Sequence, residues 1–174
     1  MRKGRFRNWT TPQAYYLDSP QVVPMPDNPR SAASVAGHPI HVMLVPIPIA
    51  CFVGTLLTDI VYWRSLNLQW AVFSDWLISV GTVMAALAAL FGLTDFFRER
   101  RIRALNAAWV HGLGNVLVLL LAVANAFVHS RDGYTSIVPT GLTLSALIVL
   151  ILLVTGWNGW TMVYRHGVGV KETP

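Results

Sequence analysis

The sequence predicts an all-α protein, a four-helix transmembrane bundle preceded by a disordered basic N-terminal tail. Three observations carry this expectation. Of the 174 residues, 54% are hydrophobic and 12% are charged, about half the roughly 25% charge of a soluble domain. The apolar residues gather in four runs, each long enough, at about 20 residues, to cross a bilayer as a helix. The Lys and Arg residues fall almost wholly in the segments that a four-span path places on one side.

The N-terminal segment, residues 1–37, opens with Arg2, Lys3, Arg5 and Arg7. No apolar run follows them, so a secretory signal is not expected. Pro20, Pro24, Pro26 and Pro29 make the rest of the segment an extended tether. Residues 38–168 form the expected membrane domain, and 169–174 a short C-terminal tail. The spans are expected roughly at Ile40–Trp63, Ala71–Phe97, Trp109–His129 and Ile137–Tyr164. Tyr62, Trp63, Trp70 and Trp76 mark one interface; Phe96, Phe97, Trp109, Trp160 and Tyr164 mark the other.

Charge sets the orientation. The N-terminal segment (with Arg30), the loop holding Arg98, Arg100, Arg101 and Arg103, and the tail holding Arg165 and Lys171 contain 11 of the 13 basic residues. Only Arg64 and Arg131 lie on the opposite side. Both termini are therefore expected in the cytoplasm. The net charge of +5 reflects this topology and not nucleic-acid binding. The single cysteine, Cys51, excludes an intrachain disulfide, a CxxC motif and a CxxCH haem attachment. P-loop, GxSxG and HExxH motifs are absent. The sequence thus names no enzyme activity.

Ionisable residues inside membrane helices usually face the bundle interior. His38, His41, Asp95, His111 and His166 all fall near the basic end, contributed by four helices. Helical phase refines this grouping. His111 and His129 are 18 residues apart, five turns at 3.6 residues per turn, and share a face with Asn115 and Asn125. His41 and Asp59 have the same 18-residue spacing. The two stripes are expected to meet inside the bundle. Asn and His in such stripes often serve only to bind helices together by hydrogen bonds. Pro46 and Pro48 each remove a helical bond in the first span, which kinks the helix or shapes a site. Gly81, Ala85 and Ala89 provide a small-residue packing face. Asp95 is read either as part of the basic-end site or as a partner for Arg98.

The segments His38-Pro-Ile-His41 with Pro46-Ile-Pro48, Gly92-Leu-Thr-Asp95, His111-Gly-Leu-Gly-Asn115 and Val163-Tyr-Arg-His-Gly-Val-Gly-Val170 carry a family resemblance. The chain resembles a bacterial four-helix membrane family catalogued as domain of unknown function 2231, over roughly residues 35–172. The resemblance implies a multi-pass protein of the bacterial inner membrane. It also implies, by association with redox modules in relatives, electron transfer and a redox partner protein.

The leading functional expectation is a site for haem b, held by imidazoles near the basic end. The cofactor-binding candidates are His38, His41, His111, His166, Asp95 and Asn115. An axial pair would take one of His38 and His41 together with His111 or His166. Arg103 and Arg165 would be the propionate partners. The alternatives are a structural or assembly subunit without cofactor, a transition-metal site at His41, His111 and His166, and a proton or solute path along the polar stripe with Asp59 and Asp75.

Overall fold

The computed structural model describes residues 28–29, 31–131 and 137–170. The basic tail expected at the N-terminus therefore lies, up to residue 27, outside the described residues.

The described chain begins with a short antiparallel pair, β1 (Ser34–Val35) and β2 (His38–Pro39), in the register Ser34 opposite Pro39 and Val35 opposite His38. The first span follows as α1 (Ile40–Leu44) and α2 (Pro46–Ser65). The break falls at Val45, and Pro46 occupies the first position of α2, where its missing N–H is no loss. Val45 stays in the right-handed helical region, and its N–H still reaches the carbonyl of His41 at 3.1 Å. The prolines thus divide the span without turning it aside.

The second span is α3 (Leu68–Arg98), capped by the Asn67 side chain, which accepts from the Gln69 N–H. The one-turn helix α4 (Arg100–Arg103) carries the basic loop. The third span is α5 (Asn106–His129). A kinked turn at Ile137–Gly141 leads into the fourth, α6 (Leu142–His166). Gly167 ends α6 in the left-handed region at φ 62°, which glycine adopts without a Cβ clash.

All four spans are long and apolar enough to cross a membrane. Each packs on its two neighbours, the first and third on both the second and the fourth. The first and third spans are therefore diagonal. An apolar midsection of Phe52, Ile78, Val118, Ala122 and Ile148 fills the centre. Gly81 lets the first two spans close: a Cβ there would stand 2.8 Å from Cys51 Cβ and 2.9 Å from Phe52 Cε1. The outer surface is apolar over its length, with Leu57, Phe73, Val83, Leu90, Leu113, Leu120, Phe127 and Leu153 exposed. Such a surface suits hydrocarbon and not water.

Candidate functional site

The two polar stripes meet at both ends of the bundle. At the basic end, the rings of His41 and His111 lie 6.1 Å apart, centre to centre, with their planes at 89°. Each ring is held in the same way. His41 Nδ1 is 2.8 Å from the carbonyl oxygen of Ala88, and His111 Nδ1 is 2.8 Å from that of Thr155. A carbonyl only accepts, so each Nδ1 carries the proton and donates it. In the neutral ring each Nε2 is then a lone pair. Neither Nε2 has a hydrogen-bond partner among the described residues.

A glycine seats each ring, one helical turn beyond the carbonyl that holds it. A Cβ at Gly92 would lie 2.9 Å from His41 Nδ1, and one at Gly159 would lie 3.2 Å from His111 Nδ1. The two halves of the bundle thus repeat one design. A histidine near the start of one helix bonds a carbonyl on the next, four residues before a glycine that makes room for the ring. The pair sits between diagonal spans, where the two halves face each other.

Beside the pair lies a cavity of about 80 Å³. Its lining is mainly apolar, with Pro48, Phe52, Ala85, Ala89, Val118 and Leu152 among the residues that close it. Asn115 also lines it and donates from Nδ2 to the carbonyl of His111 at 2.7 Å.

The other expected site residues lie elsewhere. His38 is exposed in β2. The residue before a proline is pushed into extended backbone, so the helical spacing of His38 to His41 is not realised. His166 is exposed at the end of α6 and does not line the cavity. It shares a helical face with Thr155 but stands 11 residues, or about 16 Å, further along. Among the described residues, no three His, Cys, Asp or Glu side chains gather to hold a metal ion. Arg103 donates to the carbonyl of Phe97, and Arg165 is exposed.

Asp95 belongs to a different structure. Its Oδ1 accepts from the backbone N–H groups of Ala32 at 2.7 Å and Ala33 at 3.0 Å; its Oδ2 accepts from Ser31 Oγ at 2.8 Å. The carboxylate therefore fastens the chain ahead of the first span onto α3. The C-terminal glycines hold the same segment from the other side. Gly169 N–H donates to the carbonyl of Pro29 at 2.8 Å, and a Cβ at Gly169 would meet Pro39.

The far end carries a closed cluster that joins three spans. His129 Nε2 is 2.9 Å from Asp59 Oδ1, and His129 Nδ1 is 3.0 Å from the carbonyl of Asn125. Ser145 Oγ donates to Asp59 Oδ2 at 2.7 Å and accepts from Asn125 Nδ2 at 2.9 Å. All four residues are buried, and Asn125 Oδ1 is left without a partner. Ser145 was not expected from the sequence, because a lone serine in an apolar run carries no signal of its own.

A family model described as a predicted membrane protein (DUF2231) matches residues 37–172. No curated protein and no solved structure matches the chain.

Proposed function

We propose, for a chain that belongs to the DUF2231 family of predicted membrane proteins, that His41 and His111 would hold one haem b. The protein is then an electron-transfer or redox-partner subunit of a bacterial inner membrane, with both termini in the cytoplasm. The observation that carries this reading is the matched pair of imidazoles, each with Nδ1 fixed on a backbone carbonyl and Nε2 open.

The donor chemistry fits such a centre. Ligating histidines usually donate the other ring N–H to a carbonyl or carboxylate, which fixes the tautomer and raises ligand basicity. His41 and His111 would hold such a group through Nε2, and their ring centres lie 6.1 Å apart. A bare ion would find two nitrogens and no third His, Cys, Asp or Glu among the described residues. A porphyrin brings its own four donors. The apolar lining suits a macrocycle as well.

Space is the opposing term. A water occupies about 30 Å³ in the liquid, so 80 Å³ holds two or three waters and no porphyrin. Admitting one requires the helices at Ala85, Ala88 and Gly156 to part. The haem, when bound, supplies one-electron chemistry. The protein's own part is to orient both imidazoles through Ala88 and Thr155 and to fix the tautomer that leaves Nε2 to the ligand.

The tight cavity favours a second reading, in which the two histidines only tie the four spans together. An optical spectrum separates the two. Protein purified from haem-replete cells should show a Soret band. His111→Ala and His41→Ala should each abolish it, and His129→Ala should leave it intact. A colourless preparation sinks the haem reading and leaves the structural one. Reporter fusions after Pro174 and in the Arg98–Arg103 loop should read cytoplasmic; a periplasmic signal there would reverse the orientation.

A further inference from the structure

The protons of the far-end cluster can be counted bond by bond. His129 Nδ1 lies 3.0 Å from the carbonyl oxygen of Asn125. A carbonyl only accepts, so Nδ1 carries a proton. Asn125 Nδ2 donates to Ser145 Oγ at 2.9 Å, and the serine hydroxyl donates in turn to Asp59 Oδ2 at 2.7 Å. Oδ2 is therefore an acceptor. The remaining contact is His129 Nε2 to Asp59 Oδ1, at 2.9 Å. In a neutral ring protonated at Nδ1, Nε2 is a lone pair, and an ionised carboxylate offers only lone pairs as well. Two acceptors do not meet at hydrogen-bond distance. One proton therefore lies on that line, on Nε2 or on Oδ1. Either position leaves the pair without net charge. Burial favours that state: all four residues are buried, and an uncompensated charge inside the bundle is costly. The turn ahead of α6 closes over the ring, since a Cβ at Gly141 would stand 2.8 Å from His129 Cε1.

We propose that Asp59 and His129 form a site that binds one proton, and that the far end of the bundle stays closed only while that proton is bound. Without it, lone pairs on Nε2 and Oδ1 would face each other at 2.9 Å, and the pair would hold a buried negative charge. The site joins three spans, through Asp59 on α2, His129 and Asn125 on α5, and Ser145 on α6. Loss of the proton therefore loosens all three at once. Among the described residues, a further titratable group acts on His129 through its charge: the half-buried Asp75 of α3. From α6 and the turn ahead of it, Ser145 and Gly141 face the pair. The sign follows from the count. The stabilisation is present while the proton is held and is lost as rising pH removes it. The apolar midsection lies between this site and the His41–His111 pair, so the proton site stands independently of the haem reading.

The test uses the full chain in detergent micelles, as wild type and Asp59→Asn. The first measurement is nitrogen NMR of labelled histidine at neutral pH, with each signal assigned by replacing the histidines in turn. Wild-type His129 should show an N–H at both ring nitrogens. If its Nε2 is bare, infrared absorption should show Asp59 as a carboxylic acid, which is the same single proton on the other atom. A bare Nε2 beside an ionised Asp59 would overturn the proposal. In Asp59→Asn the amide N–H donates to Nε2 and the amide oxygen accepts from Ser145, so every bond is made without a shared proton. His129 should then lose its Nε2–H signal. The second measurement is the unfolding temperature as pH rises. Wild type should fall relative to Asp59→Asn, because all other titrating groups are common to the two proteins. Parallel curves would show that the proton does not close the far end. If Asp59→Asn does not fold, His129→Gln takes its place in the pH series, since its amide donates to the carboxylate with no shared proton.

Discussion

At the basic end His41 faces His111 across the bundle; eighteen residues further along the same two spans, Asp59 faces His129. The helical positions correspond, yet the chemistry differs. The near rings bond only to backbone carbonyls, so each keeps one nitrogen without a partner among the described residues, and both residues line the cavity. At the far end both nitrogens of His129 are taken, and Asp59 is shared between His129 and Ser145. One substitution in the pattern, a carboxylate where the near end has an imidazole, turns a socket into a fastening. The apolar midsection of Phe52, Ile78, Val118, Ala122 and Ile148 keeps the two apart.

The largest expected effect therefore belongs to the far end. Asp59→Ala leaves His129 and Ser145 buried without their acceptor. Breaking a buried pair by removing one partner costs about 3–5 kcal/mol. Thermal unfolding in detergent should show this as the deepest loss of stability among the polar variants. A loss below about 1 kcal/mol would mean that the cluster is not a fastening at all.

The midsection comes next. Gly81→Ala places a methyl 2.8 Å from Cys51 Cβ and 2.9 Å from Phe52. Overpacking of this kind costs about 1–3 kcal/mol. The same unfolding measurement checks it, and a null effect would mean that the first two spans separate easily there.

A smaller loss of stability is expected at the socket. His111→Ala frees the carbonyl of Thr155 and leaves the cavity wall larger, at a cost of about 1 kcal/mol for one hydrogen bond. On the proposed haem reading the Soret band should be lost entirely, whereas the stability loss is slight. Equal destabilisation by His111→Ala and Asp59→Ala would erase the contrast between the two ends and favour a structural role for both.

The sequence made much of this legible, for reasons tied to particular residues. Apolar run length located the spans, and their observed limits lie within a few residues of the expected ones: Ile40–Ser65, Leu68–Arg98, Asn106–His129 and Ile137–His166. The shared 18-residue spacing put His41 with His111 and Asp59 with His129, because helical phase fixes which face a residue occupies. Depth alone was a poorer guide. It grouped His166 with the pair, although that residue is exposed at the end of α6 and does not line the cavity. Asp95 was grouped with them too, although its partners are backbone groups of the segment ahead of the first span. Backbone N–H and C=O groups carry no residue signature, so neither the partners of Asp95 nor the carbonyl seats of the two rings could be read from residue types. Ser145 was hidden for a related reason: a hydroxyl in an apolar helix often bonds its own backbone.

The smallest effects test whether the glycines seat the rings. Gly92, Gly159 and Gly112 are helical glycines with different surroundings. A Cβ would lie 2.9 Å from His41 Nδ1 at Gly92 and 3.2 Å from His111 Nδ1 at Gly159, and would meet nothing within 4 Å at Gly112. Replacing glycine by alanine within a helix stabilises by roughly 0.5–1 kcal/mol when the site is open. Gly112→Ala should therefore raise the unfolding temperature slightly and leave both histidines unchanged. Gly159→Ala should roughly cancel that gain against the close approach to His111. Gly92→Ala should lose it, because the ring must retreat and weaken its bond to Ala88. The order Gly112, Gly159, Gly92 from most to least stable, with imidazole NMR shifts moving only in the last two, is the expected result. If all three variants gained alike, the rings would have room to spare, and the repeated glycine would have no part in aiming them.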